Sequence, residues 1–396
     1  MSGSGEQRRA RVPIYHVITP GDHFSPRTGS AIPTVVHGLA GGAAAAGATN
    51  RYPQYVVLQA DTFRPRYDSA AAVEFDGVHA PGSKERAIDA ALARIGRPRR
   101  GAERYLRPAA ERLRDAPPGI VLAHNAPLVP WMLRDQDHSP VLYAHNNVLR
   151  SYSRAESSRV LGHAARIVCV SESLATEIRQ HLPRSLHDRV RVVVNGVDTS
   201  QFSPATEREP GPLRVMFLGR AIRDKGADIL LEAAGLLGRA DVEYLIVGSH
   251  GFDPSAQLSP FERRLRELTE LVNAPVRFEP FVDRQNLPPL LRRADVLVVP
   301  SRWPDPCPLT VGEGMAAGLP IVASRRGGIP ELLGDAGVLF DPDRPAELAS
   351  ALRSLVDEPH RRAALAQSAL SRARARDWTW AWSHLAEVLD EMGVAS

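Results

Sequence analysis

Short apolar runs rich in Val, Ile and Leu recur along the chain, and longer stretches of mixed apolar and polar residues separate them. A continuous apolar run bounded by turn residues suits a strand covered on both faces, and the intervening pattern suits helices packed on those faces. The alternation predicts an α/β fold with parallel sheets. VPIYHVI (12–18), YVVLQA (55–60), GIVLAHN (119–125), PVLYAHN (140–146), RIVCVS (166–171) and VRVVVN (190–195) form one set of strands. LRVMFLG (213–219), EYLIVG (243–248), PVRFEP (275–280), DVLVVP (295–300), PIVAS (320–324) and VLF (338–340) form a second, with helical segments at 226–238, 258–272 and 286–293. The turn-rich stretch Ser200 to Pro212 between them has the composition of a linker. The expected architecture is therefore two doubly wound, Rossmann-like domains, residues 1–205 and 206–375. A C-terminal helix in 376–396 is expected to pack back toward the first domain, its Trp378, Trp380, Trp382, Leu385 and Leu389 serving as core or docking surface.

Composition narrows the class. The 396 residues are 43% hydrophobic and 24% charged, ordinary for a globular protein. Only MSGSGEQRRA reads as unordered. The stretch VVHGLAGGAAAAGA is too weakly apolar to span a bilayer, and no secretory leader is evident, so the expected location is cytoplasmic without membrane association. A formal net charge of +4 gives no argument for a nucleic-acid partner. Cys169 and Cys307 make neither a disulfide framework nor a metal cluster. Of the 49 basic residues only Lys84 and Lys225 are lysines.

Candidate chemistry lies where ligands sit in open α/β sheets, just beyond the carboxyl ends of strands. There is no G-x-x-x-x-G-K-[ST] phosphate loop, and no G-x-G-x-x-G follows a strand. After LRVMFLG, Arg220 and Lys225 precede a helix opening at Gly226. Two cations beside a helix N-terminus suit a diphosphate, although a solvated loop has the same composition. After DVLVVP comes PSRWPDPCPLTVGEGMAAGLPIVAS (300–324), in which Pro304, Pro306 and Pro308 crowd together beside two acids, Asp305 and Glu313. Glu313 reads either as an acid near the start of a helix EGMAAGLP or as an acceptor for vicinal hydroxyls. The bend between the acids presents main-chain N–H groups from Leu309 to Gly312. His124 and His145, each followed by Asn, end successive strands and read as structural or as site residues. Asp341-Pro-Asp343 is explained by turn and cap chemistry, so no metal is expected.

The segment Asp305-x7-Glu313 resembles the E-x7-E segment of GT-B nucleotide-sugar glycosyltransferases of family 4, with Asp in the first position. VCVSESLA (168–175), VVVNGVDTSQF (192–202), FLGRAIRDKGADILLEAA (217–234), FVDRQNLPPLLRRADVLVVPS (281–301) and SRRGGIPELL (324–333) match in order. The resemblance implies two Rossmann-like domains facing across a cleft and a retaining transferase needing no cofactor. It implies that Arg220 and Lys225 bind the donor diphosphate and that Glu313 holds the ribose hydroxyls. Asp305 then meets the hydroxyls of the transferred sugar, and the backbone of Cys307, Leu309 and Thr310 approaches sugar and phosphate. Pro306 and Pro308 lack the N–H that other members offer there. FSPRTGS (24–30) stands in place of the glycine loop near the diphosphate, with Gly29 and Ser30. His145 falls at the reacting centre, where it orients the sugar.

The acceptor is read from the first domain. Asp22, His124 and Asn125 are its candidate contacts, and Asp22, Glu156 and Asp137 suit an aminated acceptor. VITPGDHFSPRTGSA resembles transferases acting on aminocyclitol antibiotics; assembly of a polysaccharide or lipid-linked glycan is the alternative. The expected partners are thus a nucleotide-sugar donor, UDP before others, and a small polar acceptor, for a monomer or homodimer. The arginines of 94–114 suit an anionic surface or a solvated face. A nucleotide-sugar epimerase and a silent sugar-binding protein share the architecture.

Overall fold

The computed structural model describes residues 11–27, 29–206, 211–253 and 255–393; the MSGSGEQRRA stretch lies outside them, as does part of the linker. The chain divides into two compact units. The first comprises Met1–Ser25, Ser30–Val194 and Trp378–Ser396, and the second Pro26–Gly29 and Asn195–Asp377.

In the first unit, β1 (Ile14–Val17), β2 (Gln54–Gln59), β3 (Ala71–Phe75), β4 (Ile120–His124), β5 (Ser139–Ala144), β6 (Arg166–Cys169) and β7 (Val190–Val192) form one sheet. Its order is β3-β2-β1-β4-β5-β6-β7 with every neighbouring pair parallel. In the second unit, β8 (Leu213–Leu218), β9 (Val242–Val247), β10 (Val276–Glu279), β11 (Val296–Val299), β12 (Ile321–Ser324) and β13 (Val338–Phe340) run β10-β9-β8-β11-β12-β13, again all parallel. Both sheets are doubly wound. The order reverses between β1 and β4 and between β8 and β11, and the carboxyl ends of those strands are where such sheets bind ligands.

The β3 strand escaped the sequence pattern. Ala71 and Ala72 are exposed on this edge strand, so AAVEF carries no continuous apolar run. The central strands are buried throughout, as in β4 and β11, because helices cover both faces. Val36, Val56, Leu58 and Phe24 share one core cluster of the first unit. Phe217, Leu230, Tyr244, Val298 and Leu352 belong to that of the second.

The C-terminal helix Trp378–Asp390 belongs to the first unit and packs on the helix Ala31–Ala45. Small residues make this possible. A Cβ on Gly38 would overlap the Trp378 ring, and one on Gly42 would overlap the Trp378 carbonyl. Trp382 is buried, edge-on to Tyr52 at 5.8 Å. The N-terminal stretch of the first unit ends at Val194, earlier than the expected boundary at 205. Asn195 donates to the Cys307 carbonyl at 3.4 Å, the Arg284 guanidinium lies over the Phe202 ring, and Pro204 packs on Gly318. These contacts tie the start of the linker to the second unit. Among the described residues no helix is long and apolar enough to cross a membrane.

Candidate active site

In the second unit the site begins where β8 ends. Arg220 donates through Nε and Nη2 to the His250 carbonyl, both at 3.2 Å, and its side chain stays exposed. A short 3-10 turn, Arg223–Lys225, leads to Gly226 at φ 75°. Glycine is required there, since a Cβ would strike the Pro300 carbonyl as well as strain the left-handed backbone. Lys225 Nζ lies 2.5 Å from Asp305 Oδ2, so these two residues, 80 positions apart, form one half-buried ion pair.

The loop after β11 is fastened to that turn. The Arg302 and Trp303 amides donate to the Asp224 carbonyl at 2.9 and 3.1 Å, and Arg302 Nη1 pairs with Asp228 at 2.6 Å. Asp305 accepts at its carbonyl from the Gly328 amide at 2.9 Å, with Gly327 at φ 56° where a side chain would collide with the loop. The proline segment is thus held from two sides by main-chain bonds.

The helix that follows spans Leu309–Ala316, not EGMAAGLP. It starts directly after Pro308, because a proline just outside a helix costs it no hydrogen bond. Leu309 and Thr310 fall in its first turn, where amides lack intrahelical partners, and no side chain caps them. Glu313 consequently sits in the second turn and is buried, so the reading as a helix-start acid fails. Its charge is met by Arg284, whose Nη2 lies 2.7 Å from Oε1 with both side chains largely buried. The angle of that pair is not that of a hydrogen bond, and Oε1 has no other partner, so the carboxylate is compensated in charge while keeping acceptor capacity. Arg284 was not among the residues that the sequence pointed to; it lies within the matched stretch FVDRQNL after the strand Val276–Glu279, where no role was read for it. Cys307 is buried, and burial pushes its thiol up to about 12, so only its backbone is available for chemistry. Gly29 lies with the second unit, where a Cβ would come within 2.9 Å of the Phe281 ring.

In the first unit the carboxyl ends of β1, β4 and β5 carry a chain of hydrogen-bonded rings. His145 Nε2 meets His124 Nδ1 at 2.8 Å, His124 Nε2 meets His16 Nδ1 at 3.0 Å, and His16 Nε2 meets Gln54 Oε1 at 2.9 Å. Gln54 Nε2 donates to the Tyr52 carbonyl at 2.8 Å. Sheet register makes the chain. His16 pairs with Val56 and Leu122, and His124 with Tyr143. Each member therefore lies two residues along its neighbouring strand, on the same face. Burial lowers His16 to about 4, His124 well below its usual value and His145 to about 3. Asn125, at φ 53°, accepts the His145 amide at 2.8 Å and so aims the loop that carries it.

Asp22 and Ser30 meet at the start of the helix Ala31–Ala45. Burial raises the Asp22 carboxyl to about 6, moderated by hydrogen bonds from Ser30 and Thr19. Glu156 is not available to an acceptor. It is 3% exposed and grips Arg99 through both oxygens, at 2.7 and 3.1 Å. The arginine-rich 94–114 stretch is partly neutralised, since Arg104 pairs with Glu85 and Arg107 with Glu103. Asp341 and Asp343 both pair with Arg326, and the Asp343 amide donates back to Asp341 Oδ1, which is turn chemistry. Among the described residues no group of three or more His, Cys, Asp and Glu is placed to hold a metal ion.

Known proteins match both units. Residues 34–201 match the model described as Glycosyltransferase Family 4, and residues 212–358 that described as Glycosyl transferases group 1. A D-inositol 3-phosphate glycosyltransferase of Corynebacterium kroppenstedtii is 30% identical over 294 residues, 66% of this chain and 64% of the relative. The match thus spans less than two thirds of that relative's length. Sucrose-phosphate synthase of Thermosynechococcus elongatus superposes over 98% of this chain and 100% of its own with a TM-score of 0.72 at 20% identity. Anabaena Alr3699/HepE in complex with UDP and glucose does so over 96% and 100%, with a TM-score of 0.68 at 19% identity. At such identities the likeness is one of fold, that of GT-B glycosyltransferases. Residues 34–201 and 212–358 are therefore similar, in order, to a family 4 and a group 1 glycosyltransferase domain.

Proposed function

We propose that this chain is a retaining, metal-independent glycosyltransferase that moves a hexose or amino-hexose from a nucleotide sugar to a hydroxyl of a small polar acceptor. The observation that carries the reading is the Lys225–Asp305 pair, which joins the ends of β8 and β11 at the switch point of the second sheet. Lys225 and Arg220 offset the charge that grows on the leaving diphosphate, the electrostatic term that usually dominates such catalysis. The unpaired amides of Leu309 and Thr310, with the Cys307 backbone, approach phosphate and sugar, and Gly29 and Ser30 approach the diphosphate. Glu313 accepts hydrogen bonds from the ribose hydroxyls, with Arg284 balancing its charge. Asp305 and His145 orient the sugar. The C1–O bond to phosphate breaks as the acceptor oxygen bonds C1 from the same face, and the departing phosphate oxygen takes the acceptor's proton.

UDP is the nucleotide favoured by the likeness to Alr3699/HepE, whose structure is a complex with UDP and glucose. For the acceptor we read an aminocyclitol of the kind glycosylated in aminoglycoside antibiotic biosynthesis, met by Asp22, His124 and Asn125. A phosphorylated cyclitol is the second reading, favoured by the similarity to a D-inositol 3-phosphate glycosyltransferase. The test incubates the protein with a panel of nucleotide sugars, each with an aminocyclitol pseudodisaccharide, with inositol 3-phosphate or without acceptor, followed by mass spectrometry. The expected result is transfer dependent on acceptor, unchanged by a chelator and with net retention at C1. Conversion of donor without acceptor identifies an epimerase, and no turnover with any pair overturns the reading. Lys225→Ala should lower kcat by about a hundredfold, the scale of removing one transition-state charge contact.

A further inference from the structure

The polar diagonal across the first sheet has a direction, and one end of it sets that direction. The Tyr52 carbonyl can only accept, so the Gln54 atom facing it must be the amide nitrogen, and Gln54 Oε1 must face His16 Nε2. His16 therefore bears its proton on Nε2. A neutral imidazole has one N–H, which leaves His16 Nδ1 bare and able only to accept from His124 Nε2–H. The same step repeats. His124 Nδ1 is bare and accepts from His145 Nε2–H. A proton added to His16 or His124 would set two N–H groups against each other, so both inner members are neutral.

We propose that Gln54 is a positioning residue which fixes the polarity of the Gln54–His16–His124–His145 chain, so that His145 presents an unprotonated Nδ1 as hydrogen-bond acceptor to a hydroxyl of the bound sugar. The proposal rests on the transferase reading for its sugar and on hydrogen-bond geometry for its polarity. Without Gln54 Oε1 the opposite polarity, with every ring protonated on Nδ1, satisfies the same inner contacts and would present an N–H instead. His145 Nδ1 makes no hydrogen bond among the described residues, in keeping with an open position for a ligand. Burial keeps the ring neutral, so its lone pair remains free near neutral pH. Selectivity follows: a sugar with a hydroxyl at that position is accepted, and one with an ether or a hydrogen there leaves the lone pair unmet.

Nitrogen-15 NMR of the histidine rings in the full chain tests this, with the His145 signal identified by its loss in His145→Gln. The wild type should show His145 protonated on Nε2. Gln54→Glu, which keeps an acceptor toward His16, should retain that state; Gln54→Met should shift His145 toward the Nδ1–H form. With each nucleotide sugar that turns over, Gln54→Met should lower kcat/KM about tenfold, the worth of one hydrogen bond to substrate, and Gln54→Glu should restore most of it. A wild-type His145 protonated on Nδ1 overturns the proposal whether or not any variant folds. So does a folded Gln54→Met protein with unchanged tautomer or unchanged kcat/KM. If the spectra behave as expected while no sugar is transferred by the wild type, the transferase reading fails and the polarity stands.

Discussion

Asp22 and the three histidines respond to pH in opposite senses, because burial acts on a carboxyl and on imidazoles with opposite sign. The Asp22 carboxyl is raised from 3.8 to about 6, so the folded state binds its proton more tightly than the unfolded state. Its contribution to stability is fully present at low pH and is lost as pH rises through about 6. Asp22→Asn should therefore raise the melting temperature above pH 6 and change little below pH 4, measured by thermal denaturation across that range. His16 and His145 are lowered from 6.5 to about 4 and about 3, so the unfolded state binds more protons there. Stability falls as the pH drops below about 6.5, and His16→Asn should flatten that fall in the same titration. His124 and His145 were legible in the sequence as polar residues ending apolar runs, and Asp22 as an acid of the loop after the first run. His16 was not, because it stands inside the run VPIYHVI, and its partner Gln54 is brought to it by register alone.

At the scale of elements, the proline segment was legible as a special loop, while its boundaries were not. From the sequence, Glu313 falls at the start of a helix EGMAAGLP, beyond Pro306 and Pro308. In the structure they end one residue before it begins, and that places Glu313 in a buried second turn facing Arg284. The pairing makes a prediction. Arg284→Ala leaves a buried carboxylate without its counter-charge and should cost about 3–5 kcal/mol by chemical denaturation, as removal of one partner of a buried pair does. The loss should be partly recovered in Arg284→Ala/Glu313→Gln, where no charge is left behind. The helix Ala31–Ala45 gives a second case. Its small residues were legible only as weakly apolar, and their purpose, a seat for Trp378, needs the packing partner. Gly38→Leu should loosen the C-terminal helix, seen as faster proteolysis near residue 378.

For the whole molecule, each unit has its own sheet and core, so calorimetry should resolve two unfolding transitions. Under the proposed function, adding UDP should raise the transition assigned to the second unit by a saturable amount, since a ligand bound to the native state stabilises it by mass action. The amino-acid sequence by itself determined the α/β class, two sets of parallel strands and the strand ends that bear Arg220, Lys225, Asp305 and His145. These follow from local hydrophobic period and from the motif resemblance, both properties of contiguous residues. Only the tertiary structure decided that Trp378 of the C-terminal helix seats on Gly38 and Gly42, that Lys225 pairs with Asp305, that Arg284 balances Glu313, and that Gln54, His16, His124 and His145 form one chain. Each of these joins residues far apart in sequence, and sheet register and buried charge, which no local pattern encodes, brought them together.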